Sequence, residues 1–283
     1  VGIYFRSNGN RTYEPLLYAK LATPYLTKER FTDAAESYRL FADVHPHHRD
    51  APLFQSRVID VYKQAGFGDQ VLKQKEAFVQ LYQPGSDYWK QHDPAQATEV
   101  LTQVQRHLRD IAQHYHALAQ QEPAPGAYAR AGQWYQLYLS AFAESDQAPY
   151  MNFLYAELLT SAGNHGDAAG QYERTAYEYG THEKAAEAGY AALLAYQKHE
   201  TKLSGEAAAQ WRTAGLKSAL RFTDRFPDHQ QAMPVRTRAA QELYALKEYA
   251  AASETAETVT KRRDAPADLQ LAAWTVIAHA QFE

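Results

Sequence analysis

The chain has 283 residues, 45% of them hydrophobic and 22% charged, with a formal net charge of −4. That composition is globular rather than disordered, and it offers no basic footprint for nucleic acid. The absence of cysteine excludes disulfides and thiolate metal sites, and apolar runs as short as Ala191–Ala195 exclude a membrane-spanning helix. Tyrosine is the enriched residue, at 21. The sequence begins at Val1 and is read as a segment of a longer chain, so leader peptides, anchors and further domains lie outside the reading.

In chain order, the first signal is helical. Leu17, Tyr18, Leu21, Ala22 and Tyr25 recur at spacings of three and four, and the pattern resumes as Phe31, Ala34, Ala35, Tyr38 and Phe41. Two amphipathic helices so close in sequence form an antiparallel hairpin. Pro24 is expected to kink or end the first helix. The connector HPHHRDAP at 45–52 stops the second helix and opens the next with Ala-Pro, and it aligns with FPDHQQAMP at 226–234, AESDQAP at 143–149 and RRDAP at 262–266. Its histidines, 45, 47 and 48, could ligate a metal. They are read instead as a solvated loop, because the counterpart at 226–229 has one histidine, and no metal site is assigned.

After an irregular stretch near 85–94, residues 95–121 form one long helix preceded by Asp93-Pro94 as cap and first position. On it, His107, Asp110 and His114 share one face, a candidate metal or acid–base site that is read by preference as a polar groove wall or a hydrogen-bonded packing face. Breakers at 121–126 lead to a helix with Tyr128, Ala131 and Tyr135. These repeat the columns of Phe31, Ala34 and Tyr38, and His165, Ala168 and Tyr172 repeat them again, with Tyr249 and Ala252 a partial fourth copy. An alanine between two rings lets helices approach closely while the rings fill the flanks. KHETKLSG at 198–205 reads as an inserted loop before a long helix from 205 to about 226.

These columns resemble the tetratricopeptide repeat, with Tyr18, Leu21, Ala22, Tyr25, Ala34, Tyr38, Phe41 and Pro46 standing in its positions. A second match runs through Ala156, Leu159, Ala168, Tyr172 and Gly180, and a weaker one through Ala240, Leu243, Tyr249 and Ala252. The resemblance implies an all-α, right-handed superhelix of about twelve or thirteen antiparallel helices over residues 1–283. Together with ERFTDAAESYRLF, the connectors resemble those of BamD-type and large multi-repeat periplasmic proteins of Gram-negative envelopes, which implies a periplasmic or outer-membrane-associated setting.

No GxSxG, P-loop, HExxH or dinucleotide fingerprint occurs, and no catalytic residue or cofactor is assigned. The sequon at Asn10 has meaning only in a eukaryotic secretory context. In the resembled family the first helix of each hairpin lines a groove that takes a peptide or protein. Carried over by column, this implies Tyr150, Phe153 and Glu157 in one hairpin and Thr237, Gln241 and Tyr244 in another. The leading expectation is a non-enzymatic protein-binding scaffold. Its alternatives are the helical support of an envelope enzyme such as a lytic transglycosylase, and a carrier of a lipid or other apolar ligand.

Overall fold

The computed structural model describes residues 11–283; Asn10 of the sequon therefore lies outside the described residues. Thirteen α-helices are present among them, with no strand. In chain order they are α1 (Glu14–Thr27), α2 (Phe31–Val44), α3 (Ala51–Gln64), α4 (Gly68–Tyr82), α5 (Thr98–Gln121), α6 (Pro125–Ala141), α7 (Ala148–Ser161), α8 (His165–Tyr177), α9 (Ala185–Glu200), α10 (Gly205–Arg225), α11 (Ala232–Ala245), α12 (Tyr249–Thr260) and α13 (Ala267–Ala280). The chain divides into two compact units, Val1–Ser145 with α1 to α6 and Asp146–Glu283 with α7 to α13. Within each unit every helix packs against the one before it, giving the successive antiparallel hairpins of a tetratricopeptide-like solenoid. No described helix is long and apolar enough to cross a membrane.

The alanine column is where the helices meet. Ala34, Ala131, Ala168 and Ala252 are all fully buried. The flanking rings fill the space on either side. Tyr18 meets Phe41 edge-on at 5.6 Å between centroids, Tyr38 meets Phe54 at 6.1 Å, and Phe153 meets Tyr172 at 5.7 Å.

Four hairpins turn in the same way. The first helix ends on a left-handed residue, Glu29 (φ 54°), Gly66 (φ 73°), Gly163 (φ 74°) or Lys247 (φ 64°). The next residue then reaches back across the turn, from Arg30 N–H to the Tyr25 carbonyl at 2.9 Å, Phe67 to Tyr62 at 3.0 Å, Asn164 to Leu159 at 2.9 Å, and Glu248 to Leu243 at 3.0 Å. This geometry places α4 in the repeat frame as well. There Lys75 stands where α2 has Tyr38, which is why the column pattern passes over this helix in the sequence.

The connectors between hairpins also repeat. The cap N–H of His45, Phe142 and Phe226 each bonds the carbonyl four residues back at 2.9 Å. Three residues on, the N–H of His48, Ser145 and His229 bonds that cap carbonyl at 3.0 to 3.1 Å. His48 and His229 occupy the same place. Each sets its ring edge-on to a buried phenylalanine, Phe41 at 5.2 Å and Phe222 at 5.1 Å, and each accepts through Nδ1 from the N–H two residues on at 3.1 Å. His45 is half of a buried pair with Glu14, Nε2 to Oε1 at 2.7 Å. The solvated-loop reading is thus corrected: two of the three histidines are built into the packing. Only His47 shows solely its backbone, whose carbonyl contacts His92 Nε2 at 2.9 Å.

Pro24 lies in the last turn of α1, which ends at Thr27. Two other boundaries differ from expectation. The long helix starts at Thr98, because Asp93 caps a separate 3₁₀ turn, accepting from Ala95 N–H at 2.9 Å, and Ala97 leaves helical geometry. The inserted loop shrinks to residues 201–204, with Lys198 to Glu200 in α9.

Non-glycine residues in the left-handed region carry a strain of about 1–2 kcal/mol that glycine lacks, partly offset by glycine's freer unfolded chain. Glu29→Gly and Lys247→Gly are therefore expected to stabilise their units by about 0.5–1 kcal/mol each in urea unfolding. Destabilisation by either would contradict the turn assignment.

Candidate functional site

The six groove residues implied by the repeat resemblance all fall in the second unit, and the structure separates them into three groups. Tyr150 on α7 is 39% exposed. Glu157 lies one helical stretch further along, half-buried, and its carboxyl is pushed above the ordinary range by burial and then by the neighbouring Glu187, with Lys184 acting in the opposite direction. Lys184 bonds Glu187 at 2.5 Å and sits over the Phe153 ring at 4.9 Å. Tyr150, Glu157, Lys184 and Glu187 thus make one polar-aromatic surface between α7 and the start of α9.

Gln241 and Tyr244 belong elsewhere. They line a cleft of about 440 Å³ between α11 and α13, together with Leu271, Thr275 and His279. The Tyr244 ring packs at a tilt against Tyr249, 5.4 Å between centroids, and His279, at 6.0 Å.

Phe153 and Thr237 are corrected. Phe153 is only 4% exposed, packed with Ala168 and Tyr172, so its ring supports the surface and does not form it. Thr237 is buried too, and its hydroxyl donates to the Met233 carbonyl at 3.0 Å. A step of one residue turns a helix by about 100°, so a column carried over with a one-residue error moves from groove to core.

A cleft the repeat columns did not indicate lies between α9 and α11, with α10 as its floor, and has a volume of about 240 Å³. Leu193, Leu194, Trp211, Leu216 and Val235 supply its apolar lining. Its rim is charged but internally paired, Arg212 to Glu200 at 2.7 Å and Arg238 to Glu242 at 3.2 Å. Trp211 is held in place by its indole N–H, which donates to the Tyr196 carbonyl at 3.0 Å, and by His199, whose ring lies 4.4 Å away. The available signal was Trp211 itself, a large ring in a helix that keeps no repeat column.

In the first unit, His107, Asp110 and His114 do not act together. His107 is 2% exposed, edge-on to Phe78 at 5.0 Å, and burial followed by the charges of Lys75 and Arg106 pushes its pKa from 6.5 down to about 3. Asp110 accepts from Lys75 at 2.6 Å, and His114 is exposed. The lysine that breaks the aromatic column of α4 therefore finds its counter-charge on α5. No group of three metal-ligating side chains occurs among the described residues.

No protein-family model matches the chain, and a comparison with curated proteins finds no match. Among solved structures, the chain is similar to the TPR2AB domain of yeast Sti1 in its pHSP90 complex, at 11% identity, covering 96% of this chain and 100% of that one with a TM-score of 0.31. It is also similar to the TPR domain of P58(IPK), at 15% identity, covering 94% and 78% with a TM-score of 0.32. A third is the assembly chaperone of RpL4, Acl4, at 14% identity, covering 95% of each chain with a TM-score of 0.26. Scores this low carry no inference about a ligand, and the fold rests on the helix packing described above.

His107 has a consequence for stability. Its folded pKa lies below its unfolded one, so between about pH 6.5 and 3 the unfolded chain binds a proton that the folded chain does not. Stability must then fall as the pH is lowered through that window, at up to about 1.4 kcal/mol per pH unit from this group. Burial shifts His116 in the same direction. Urea unfolding of His107→Leu between pH 4 and 7 is expected to show a shallower acid slope than the unaltered chain; an unchanged slope would contradict the assignment.

Proposed function

We propose that the chain is a non-enzymatic scaffold that binds a segment of another protein, using the exposed faces of the first helices in its second unit. The observation that carries this reading is the α9–α11 cleft. Leu194, 43% exposed, stands over an apolar floor, while two ion pairs at the rim leave polar side chains in reach of a peptide backbone. An apolar side chain entering between them would lose its hydration and gain contact with Leu193 and Val235. An acyl chain would gain nothing from the ionic rim, which favours a peptide over a lipid cargo. The Tyr150–Glu157 surface supplies a second contact along the same set of first helices. The envelope setting implied by the connectors is part of this proposal, and fractionation of the host cell tests it.

Crosslinking of the purified chain to its partners, followed by mass spectrometry, tests the site. Leu194→Asp and Arg238→Glu are expected to weaken the crosslinks by about tenfold or more, equal to about 1.4 kcal/mol of binding, with unchanged melting temperature. Phe153→Ala is expected to do the reverse, costing about 3–5 kcal/mol of stability. Undiminished crosslinking by both cleft variants would overturn the proposal.

A further inference from the structure

Four first helices share one register. Four residues before the buried Ala22, Ile59, Ala156 and Ala240 stand Tyr18, Gln55, Asn152 and Arg236. The first three are neutral and buried, and the two amides bond the second helix of their hairpin, Gln55 to Gln74 and Asn152 to Thr175, each at 2.9 Å. In the hairpin α11–α12 the same position reaches Thr258 at 3.2 Å but carries a charge. A guanidinium so placed needs a counter-charge and partners for five N–H donors. The Arg236 side chain is 18% exposed, and Asp224, the carboxylate paired with it, is 68% exposed and so lies largely in water. Nε donates to the Thr223 hydroxyl at 3.0 Å, Nη1 to Thr258 and Nη2 to Asp224. Both hydroxyls donate in turn to carbonyls of their own helices, Leu220 and Thr255, so they hold the guanidinium plane in one orientation. Two of its donors have no partner among the described residues.

Arg236 lines a cavity of about 240 Å³ between α10, α11 and α12, in which Arg262 is the second cation and Asp224 the one carboxylate. Arg262 is held from outside, by Asp264 at 2.8 Å and Asp228 at 3.7 Å, and neither of these lines the cavity. The cavity wall is therefore net positive. The closing turns of α10 and α12 also favour a cation, but the exposed Arg225 and Lys261 already serve those helix ends from solvent. We propose that this cavity binds a tetrahedral oxyanion, a phosphate group, between Arg236 and Arg262. A fixed guanidinium with open donors presents the planar fork that grips two oxygens of a phosphate at once. On binding, Asp224 gives up Nη2 to the ligand and returns to water, a small loss for so exposed a carboxylate. Inorganic phosphate and phosphomonoesters share the chemistry that this site reads. The inference does not rest on the proposed peptide cleft, with which the cavity has no lining residue in common.

Nuclear magnetic resonance of the arginine Nε–H groups tests it, with inorganic phosphate and phenyl phosphate titrated separately at an ionic strength held constant with chloride. Saturable shifts at Arg236 and Arg262 are expected with inorganic phosphate. Saturation by phenyl phosphate as well extends the site to esters, and its failure restricts the site to the free ion. Arg236→Gln, read at Arg262, should raise the phosphate Kd about tenfold or more, and Gln55 shows that this position accepts a glutamine. Arg262→Gln, read at Arg236, should do the same at a side chain that is more exposed and less bound up with packing. Asp224→Asn removes the competing carboxylate and should tighten phosphate binding about fivefold. Shifts that chloride reproduces, or that never saturate, overturn the proposal. So does binding that both arginine variants leave unchanged, or that Asp224→Asn weakens.

Discussion

Two helices can approach closely only where the residue at their crossing is small, and this chain meets that constraint with one alanine in each of four second helices. Ala34, Ala131, Ala168 and Ala252 have no exposed surface, and the aromatic residues around them close the gaps that the short side chains leave. The shared turns and connectors follow from this spacing. A left-handed residue and a backward hydrogen bond turn the chain quickly enough to bring the second helix down on the first. The helix cap and the hydrogen bond three residues on then close the hairpin in the same way at His45, Phe142 and Phe226.

Much of this was legible in the sequence because packing is periodic and periodicity survives in one dimension. The alanine columns, the Ala-Pro helix starts and the hairpin order could all be read from spacing. What could not be read depended on pairs far apart in the chain. Lys75 looks like a failure of the repeat until Asp110 is seen 2.6 Å from it. Glu14 looks like an ordinary first-turn carboxylate until His45, which the connector reading left in solvent, closes on it at 2.7 Å. The aligned connectors set His48 against His229 in the sequence, but the role the two share, in hydrogen bonds and ring packing, is visible only in three dimensions.

The candidate site was less legible for a geometric reason. Column transfer names a residue, but exposure depends on phase around the helix, and a single-residue error separates Arg238 at the rim from buried Thr237. The α9–α11 cleft draws Trp211 from the long α10, a helix that departs from the repeat and so has no column to transfer. The proposed cleft thus falls at a departure from the repeat: the regular positions are committed to holding helices together, and Trp211 on the irregular helix is not.

The alanine constraint can be tested within one helix. Ala252 is fully buried and Ala250, two residues earlier on α12, is exposed. Urea unfolding of Ala252→Leu and Ala250→Leu compares the same added volume at a crossing point and in solvent. The account predicts that Ala252→Leu lowers stability by about 1–3 kcal/mol while Ala250→Leu changes it by less than about 0.5 kcal/mol. Equal tolerance of leucine at both positions would contradict it.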